Sequence, residues 1–229
     1  MIGIIGAMEE EVSAIEALMQ IENKQERLGY CFIEGKMAGH DVVLLQGGIG
    51  KVNAAIATTL LIEHYPVDIV INIGSAGGLK LEQNVGDVVV SSCVAHHDVD
   101  VTAFGREYGE VPGLPLYYEA DQELLNKVEE ILKNNHITSH VGLIVSGDQF
   151  ICRSEQVSVI QEHFPEAMCA EMEAAAIAQV CHVFQKRFII TRSLSDIFDK
   201  GENDVQFDEY LKKASLASAK MCYELIQSL

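Results

Sequence analysis

The sequence predicts an α/β fold in which a mixed β-sheet is sandwiched between helices. Short runs of β-branched residues alternate with segments of helical spacing along most of the chain, which is typical of α/β proteins. An early hairpin pattern and two adjoining strand patterns near residues 85–99 break strict strand–helix alternation, so the sheet should be mixed. The hydrophobic fraction of 48% over 229 residues supports a core and excludes intrinsic disorder. No linker or repeat divides the chain, and we expect one domain over residues 1–229.

The first half of the chain contains predicted elements defined by apolar alternation, helical spacing and turn residues. They are a strand over 2–6, a helix over about 9–20, a hairpin with strands 30–37 and 41–46, a helix over 51–64 and a strand over 67–73. The hairpin turn is predicted at residues 38–40, and Pro66 follows the second helix. The run 67–73 is apolar apart from Asp68 and Asn72, which is typical of a central strand.

The second half of the chain continues the alternation. Strands are predicted over 85–91 and 94–99, and a Gly-, Pro- and Tyr-rich loop over 102–118 is long enough to be a functional lid. The remaining predicted elements are a helix capped by Asp121 and ending near 135, a strand over 139–145, a helix over 154–163, an Ala-rich helix over 169–183, a buried strand over 187–191 and a terminal helix over 207–226.

Charge and composition restrict the function. The net charge of -18 repels nucleic-acid phosphates and anionic membrane surfaces. No apolar run reaches the roughly 18 residues of a membrane span, and the apolar residues 2–7 lead directly into glutamates, unlike a signal peptide. Six cysteines without a C-x-x-C pair predict reduced thiols in a cytoplasmic protein. We therefore expect a cytoplasmic protein that acts on a small molecule and binds neither nucleic acid nor membrane.

The glycine-rich segments match neither common phosphate-binding fingerprint. Lys51 is followed by Val52 where the Walker A pattern needs Ser or Thr, and the dinucleotide pattern fails after both Gly6 and Gly48. Both nucleotide classes are therefore excluded.

Three consecutive glutamates open the first predicted helix. Glu9, Glu10 and Glu11 would repel a phosphate at a helix N-terminus, which otherwise attracts anions. Helix capping and a solvated face explain carboxylates there without any function. Because consecutive helical residues point in different directions, one of the three can face the sheet edge where α/β sites form. The pattern does not say which one.

Small residues follow the central strand, and two glutamates open the Ala-rich helix. The run 74–78 (GSAGG) would let a sugar or a ring approach the backbone closely, although a tight turn has the same composition. The helix dipole favours Glu171 and Glu173 at a helix start in any case. A carboxylate at that position could also accept hydrogen bonds from the vicinal hydroxyls of a ribose.

Two further acidic segments have competing interpretations. Asp196 ends the run 193–196 after the last apolar strand, where it is either a helix cap or a site acid. The run His96-His97-Asp98-x-Asp100 suggests a metal site, but no other metal-ligand spacing accompanies it. On a strand, its first, third and fifth residues would share one face as a polar cluster. We therefore predict no metal site.

Seven segments in combination resemble one enzyme family. They are 2–11 (IGIIGAMEEE), 48–53 (GIGKVN), 72–79 (NIGSAGGL), 98–105 (DVDVTAFG), 142–151 (GLIVSGDQFI), 171–174 (EMEA) and Ser195-Asp196. From residue 2 to about residue 225 the chain resembles the bacterial 5'-methylthioadenosine/S-adenosylhomocysteine nucleosidases of the purine nucleoside phosphorylase superfamily. The resemblance implies a three-layer α/β/α sandwich around a mixed, partly barrel-like sheet, a homodimer, and no metal or organic cofactor.

The resemblance also implies a reaction and residue roles. The reaction is hydrolysis of the N-glycosidic bond of methylthioadenosine, adenosylhomocysteine and 5'-deoxyadenosine, in methionine salvage and methyl-cycle detoxification. Glu11 matches the glutamate that activates water, Asp196 the acid that protonates adenine N7, and Glu173 the carboxylate that holds the ribose hydroxyls. The other matched positions are Ser75 near the water, Ile151 at the adenine edge, Gly77 and Met172 around the nucleoside, Phe150 and Phe207 as aromatic walls, and Val101, Phe104 and Pro112 from the dimer partner at the 5'-alkylthio pocket.

The residue types suit this chemistry. Glycosidic cleavage passes through an oxocarbenium-like state and commonly employs two carboxyl groups. Because adenine leaves poorly as an anion, Asp196 should keep its proton near neutral pH, although a free Asp titrates near about 3.9. Burial and neighbouring negative charge would raise its pKa. Glu11 should instead be ionised to take a proton from water.

Three other functions stay open on the sequence. A nucleoside phosphorylase on the same scaffold needs cations for phosphate, and only Arg192 and Lys51 are candidates. A hydrolase of another purine nucleoside, such as futalosine, would differ in its 5' pocket. A nucleoside sensor without activity would have no use for an acid, a base and a ribose clamp together.

Overall fold

The strands of the structure belong to one mixed sheet. The computed structural model describes residues 1–198, 200 and 203–229, without the side chains of 203–209. Within these residues the strands are β1 (Ile2–Gly6), β2 (Gln20–Arg27), β3 (Tyr30–Met37), β4 (His40–Gln46), β5 (Ile69–Gly78), β6 (Val88–His96), β7 (Tyr118–Glu119), β8 (Ser139–Ser146), β9 (Ala167–Glu171) and β10 (Arg187–Ile197). The helices are α1 (Glu9–Glu16), α2 (Lys51–His64), α3 (Gln122–Asn134), α4 (Ser154–His163), α5 (Ala174–Val183) and α6 (Asn203–Gln227).

Two helical layers cover the two faces of the sheet. Successive strand residues point to opposite faces, so Ile4 and Leu44 pack in one core with residues of α1, α3 and α6. Their neighbours Ile5 and Leu45 pack in the other core with residues of α2 and α5. The predicted three-layer α/β/α sandwich is confirmed.

Part of the sheet closes on itself. The described strands follow the order β10-β6-β8-β9-β5-β1-β4-β3-β2, with β7 beside β6, and β5 also pairs with β10. The β5–β10 and β1–β5 pairs are parallel, whereas β9 meets β5 antiparallel at Gly77 and Gly78. The predicted mixed, partly barrel-like sheet is therefore confirmed.

Strongly patterned elements have the predicted bounds. The strand over 2–6, the 30–37 strand of the hairpin and the helices over 51–64 and 154–163 are reproduced residue for residue. Asp121 caps α3 as predicted, because its Oδ1 accepts the backbone N–H of Leu124 at 3.0 Å.

The prediction for the segment after α1 was wrong. The helix ends at Glu16, and residues 20–27 form β2, which no pattern predicted. This strand (QIENKQER) is mostly exposed and polar, and it is held by backbone pairing with β3. Apolar alternation cannot identify a strand that buries so little.

Strand lengths near the site were also wrong. β5 does not turn after residue 73 but continues to Gly78, paired with β10, which itself runs past 191 to Ile197. The two strands predicted over 85–91 and 94–99 are the single strand β6, in which an irregularity between Ser91 and Cys93 interrupts the alternation.

The predicted helix over 169–183 is two elements. Residues 167–171 form the buried strand β9, and α5 begins only at Ala174. Small apolar residues fit a buried strand and a buried helix equally well, and the pattern could not separate them.

Two general expectations can be compared with the structure. All six cysteines are free thiols. Among the described residues, no helix has the length and apolar character needed to cross a membrane.

Candidate active site

A cavity of about 300 Å³ opens where β1, β5 and β10 end. Cavities of about 300–1,000 Å³ typically hold small molecules. Ligands of α/β sheets bind at the carboxyl ends of parallel strands, and these three strands are parallel. The position and size of the cavity therefore suit one small ligand.

The cavity brings together most of the predicted site residues. The three predicted carboxylates Glu11, Glu173 and Asp196 all line it. The five predicted neighbours of the nucleoside also line it: Ser75, Gly77, Phe150, Ile151 and Met172. Residues of β5 and β10, of the starts of α1 and α5, and of the loop before α4 thus meet at one cavity.

Three of the predicted residues do not line this cavity. Val101, Phe104 and Pro112 lie in the loop between β6 and β7, and within the described chain they do not line the cavity. Phe104 is 86% exposed. Phe207 lies outside the described side chains.

Glu11 is the buried member of the glutamate run, whose first two residues are exposed. Its carboxylate accepts the backbone N–H groups of Ala7 at 2.7 Å, Met8 at 3.2 Å and Ser75 at 3.3 Å. Burial raises the pKa of Glu11 above its usual value, while the charge of Arg192 and the three N–H donors oppose this rise. Glu11 is therefore the glutamate that faces the sheet edge.

The Glu171 side chain caps the N-terminus of α5, which begins directly after Glu173. Its carboxylate accepts the backbone N–H groups of Glu173 at 3.0 Å and Ala174 at 2.9 Å, and the Ser146 hydroxyl. Burial acts to raise the pKa of Glu171, but the charge of Arg192 and these donors hold it below its usual value. Glu171 is thus an ionised structural partner at neutral pH.

Glu173 directs its carboxylate into the cavity and does not cap α5. The backbone N–H of Gly50 donates to its Oε1 at 3.0 Å, and Arg192 Nη2 lies 3.9 Å from its Oε2. Burial and the neighbouring charge of Glu171 raise the pKa of Glu173 to about 8.

Asp196 reaches the cavity because β10 contains a bulge. Leu194 pairs with Ala76 and Asp196 pairs with Gly77, which leaves Ser195 as the extra residue. The Ser195 hydroxyl donates to Asp196 Oδ1 at 2.8 Å. A Cβ on residue 77 would lie 3.1 Å from Asp196 Oδ2, so glycine leaves room for the carboxyl group. Asp196 lies inside a strand, and the helix-cap interpretation is wrong.

Both candidate phosphate ligands are bound to protein groups. Arg192, 1% exposed, donates to Glu171 at 2.5 Å and to Asn72 Oδ1 at 2.6 Å. Lys51 pairs with Asp98. The structural role of Arg192 could have been suspected from the sequence, since a charged residue in a strand this apolar needs a buried partner.

The histidine–aspartate run separates into unrelated contacts. His96 ends β6 and bonds Gln179 Oε1 at 2.9 Å, whereas Asp98 and Asp100 lie beyond the strand, so the predicted shared face is wrong. Asp100 accepts the backbone N–H two residues later. Among the described side chains, no group of three or more His, Cys, Asp or Glu could hold a metal ion.

Sequence reasoning missed several lining residues, three of which lie in loops or at a helix start. Met8 follows β1, Ile49 lies in the loop before α2, and Gln149 lies between β8 and α4. Ile49 is 53% exposed although it is apolar. The sequence did contain one signal for Ile49, because an apolar residue in a short loop between a strand and a helix can line a ligand site.

Glu173→Gln should stabilise the protein increasingly as the pH rises. Because the pKa is raised in the folded state, the stability linked to this group is complete below about pH 4.3 and is lost toward the folded value of about 8. Glutamine has no such loss. Melting temperatures from about pH 5 to about pH 8 should therefore diverge in favour of the variant. The exposed Glu129→Gln is the control, and a gap that stays constant with pH would contradict the raised pKa.

Comparison with known proteins supports the fold and identifies the family. The sequence profile of the phosphorylase superfamily matches residues 1–227. A 5'-methylthioadenosine/S-adenosylhomocysteine nucleosidase of Exiguobacterium sp. is 51% identical over 229 residues, which cover 100% of this chain and 98% of the relative. The crystal structure of the Neisseria meningitidis nucleosidase of the same name, in complex with methylthio-immucillin-A, has a TM-score of 0.95 at 44% identity, covering 100% and 99% of the chains. Futalosine hydrolase of Helicobacter pylori has a TM-score of 0.94 at 31% identity, covering 100% and 97%.

The closed mixed sheet and the carboxylate-lined cavity at its strand ends define a phosphorylase-superfamily enzyme. Within that superfamily the chain belongs to the 5'-methylthioadenosine/S-adenosylhomocysteine nucleosidases, which are N-glycosyl hydrolases. The resemblance found in the sequence is confirmed.

Proposed function

We propose that the protein hydrolyses the N-glycosidic bond of 5'-methylthioadenosine and S-adenosylhomocysteine, and also of 5'-deoxyadenosine, releasing adenine. The observation that carries this proposal is the convergence of three buried carboxyl groups, Glu11, Glu173 and Asp196, on one largely apolar cavity. The Exiguobacterium relative is named for the first two substrates.

Asp196 is the proposed general acid. A protonated carboxyl group can donate to adenine N7, so that the base leaves as a neutral molecule. The bulge at Ser195 and the open space at Gly77 set the carboxyl group at the cavity wall. Ser195 donates to Oδ1, and Oδ2 lies on the side of Gly77.

Glu11 is the proposed base for the attacking water. Its three backbone N–H donors fix the carboxylate and favour its ionised form. Burial raises its pKa toward neutral pH, which makes the carboxylate a stronger base. Ser75, whose N–H is one of the donors, lies on β5, and the proposed water site is beside it.

Glu173 is the proposed ligand of the ribose hydroxyls. Its two carboxyl oxygens suit two vicinal hydroxyl donors. Bound hydroxyls would replace part of the solvation that burial removes from this group. The short strand β9 and the cap formed by Glu171 hold its backbone in place.

The base and the 5' substituent are proposed to lie on apolar surface. Phe150 and Met172 flank the nucleoside, and the backbone of Ile151 reads the adenine edge. No hydrogen bond among the described residues uses the Ile151 backbone, so both of its polar groups can serve a ligand.

The 5' pocket is proposed to be completed by a second copy of the chain. Val101, Phe104 and Pro112 form an exposed or half-buried set away from the cavity, and Phe104 presents most of its ring to solvent. Exposed aromatic side chains of this kind are typical of interfaces. A homodimer would bring this loop to the thioether end of the substrate.

A phosphorylase is less well supported, because both candidate cations are paired with carboxylates.

We expect adenine release from methylthioadenosine at the same rate in phosphate-free buffer and with phosphate added, with methylthioribose as the sugar product. The assay is chromatography of base and sugar. Strict dependence on phosphate, with a sugar 1-phosphate formed, would contradict hydrolysis. Release from futalosine but not from methylthioadenosine would favour the Helicobacter pylori relative's activity.

A further inference from the structure

A network outside the cavity joins three loops behind Glu173. Lys51, the first residue of α2, donates its backbone N–H to Asp148 Oδ1 at 2.7 Å. The Asp148 backbone N–H donates to Asp98 Oδ2 at 2.9 Å, and the Lys51 ammonium pairs with Asp98. The loops after β4, β6 and β8 are thereby tied at one point. We call Lys51, Asp98 and Asp148 the loop-tie cluster.

The cluster adjoins the residue whose backbone N–H donates to the Glu173 carboxylate. Gly50 directly precedes Lys51, and its N–H donates to Glu173 Oε1 at 3.0 Å. Its φ of 96° lies in the left-handed region that favours glycine. A Cβ there would lie 3.1 Å from Asp148 Oδ1. The direction of the Gly50 N–H therefore depends on where Lys51 and Asp148 hold the chain.

Asp148 caps the N-terminus of α2. First-turn N–H groups of a helix need outside acceptors, and Gly50 at the N-cap has no side chain to provide one. Asp148 supplies that acceptor from a segment 97 residues away in sequence. The cap is thus long-range, and it fixes the entry of α2 relative to the end of β8.

We propose that Asp148, Lys51 and Asp98 are positioning residues for ribose recognition: they orient the Gly50 N–H, and this N–H holds the Glu173 carboxylate toward the ribose hydroxyls. The inference rests on the proposed role of Glu173. None of the three lines the cavity. Their loss should weaken the hydroxyl contact and leave the acid and the base in place.

The test compares two substrates across matched variants: methylthioadenosine and its 2'-deoxy analogue. Asp148→Ala should lower kcat/KM for methylthioadenosine by about tenfold, and for the 2'-deoxy analogue by less than about threefold, because the weakened contact is already missing there. Most of the loss should appear as a higher KM. Asp148→Asn keeps an oxygen that can accept the Lys51 N–H, and it should retain most of the kcat/KM for methylthioadenosine that Asp148→Ala loses. Lys51→Met, which removes the pair with Asp98, should act in the same direction.

Asp121→Ala is the control for loss of a helix cap, since Asp121 caps α3 away from the cavity. It should lower the melting temperature and treat both substrates alike. Glu173→Gln separates the two proposals: if it discriminates between the substrates while Asp148→Ala and Lys51→Met do not, the positioning role is overturned and the ribose role stands. If Glu173→Gln treats both substrates alike, the ribose role of Glu173 is itself overturned.

Discussion

Asp196→Asn should lower the rate of adenine release from methylthioadenosine by about 10³-fold, within the range of about 10²–10⁴ typical of a lost general acid. Asparagine has nearly the same shape, and its side-chain oxygen can still accept the Ser195 hydroxyl. It cannot give a proton to adenine N7. Binding of a non-hydrolysable thioadenosine analogue, measured by calorimetry, should change by less than about tenfold.

Asp87→Asn provides the matched control for this substitution. Asp87 is also buried, but it bonds Asn84 and His140 outside the cavity. Its neutral variant should keep turnover within about threefold of the parent. Turnover of Asp196→Asn within tenfold of the parent would exclude Asp196 as the acid. Tight binding without turnover would also exclude a sensor.

Arg192→Met should lower the free energy of unfolding by about 3–5 kcal/mol, because it leaves the Glu171 carboxylate buried without its partner. The side chains of both residues are almost fully buried, at 1% and 3% exposure. The bond to Asn72 is lost at the same time. Urea unfolding at neutral pH measures the change.

Two further variants identify the cause of that loss. Lys220→Met removes an exposed pair with Glu224 and should change stability by less than about 0.5 kcal/mol. The double variant Arg192→Met with Glu171→Gln removes both charges and should be more stable than Arg192→Met alone. A double variant no more stable than the single one would mean that lost packing, and not the unpaired charge, causes the instability.

The fold was predictable where burial is patterned. β1, the hairpin formed by β3 and β4, α2 and α4 follow directly from apolar spacing and turn residues. β2 and β9 were missed for opposite reasons. The first buries too little to show alternation, and the second is so uniformly apolar and small that it resembles the start of α5.

The residues of the candidate site could be predicted from the sequence, but the hydrogen bonds that hold them in position could not. The resemblance assigned Glu11, Glu173 and Asp196, and the cavity brings them together. The pairs that organise the cavity join distant segments: Arg192 bonds Asn72 across 120 residues, and Gly50 reaches its carboxylate across 123. One sequence holds no signal for such pairing. The bulge that turns Asp196 into the cavity is also a property of two paired strands.

The central claim is that water, and not phosphate, receives the ribosyl group. The most direct measurement is mass spectrometry of the sugar formed from methylthioadenosine in water enriched in the heavy oxygen isotope, with phosphate present. The account predicts free methylthioribose carrying one heavy oxygen at its anomeric carbon, and no labelled sugar from Glu11→Gln. An unlabelled sugar 1-phosphate from the parent enzyme would contradict it.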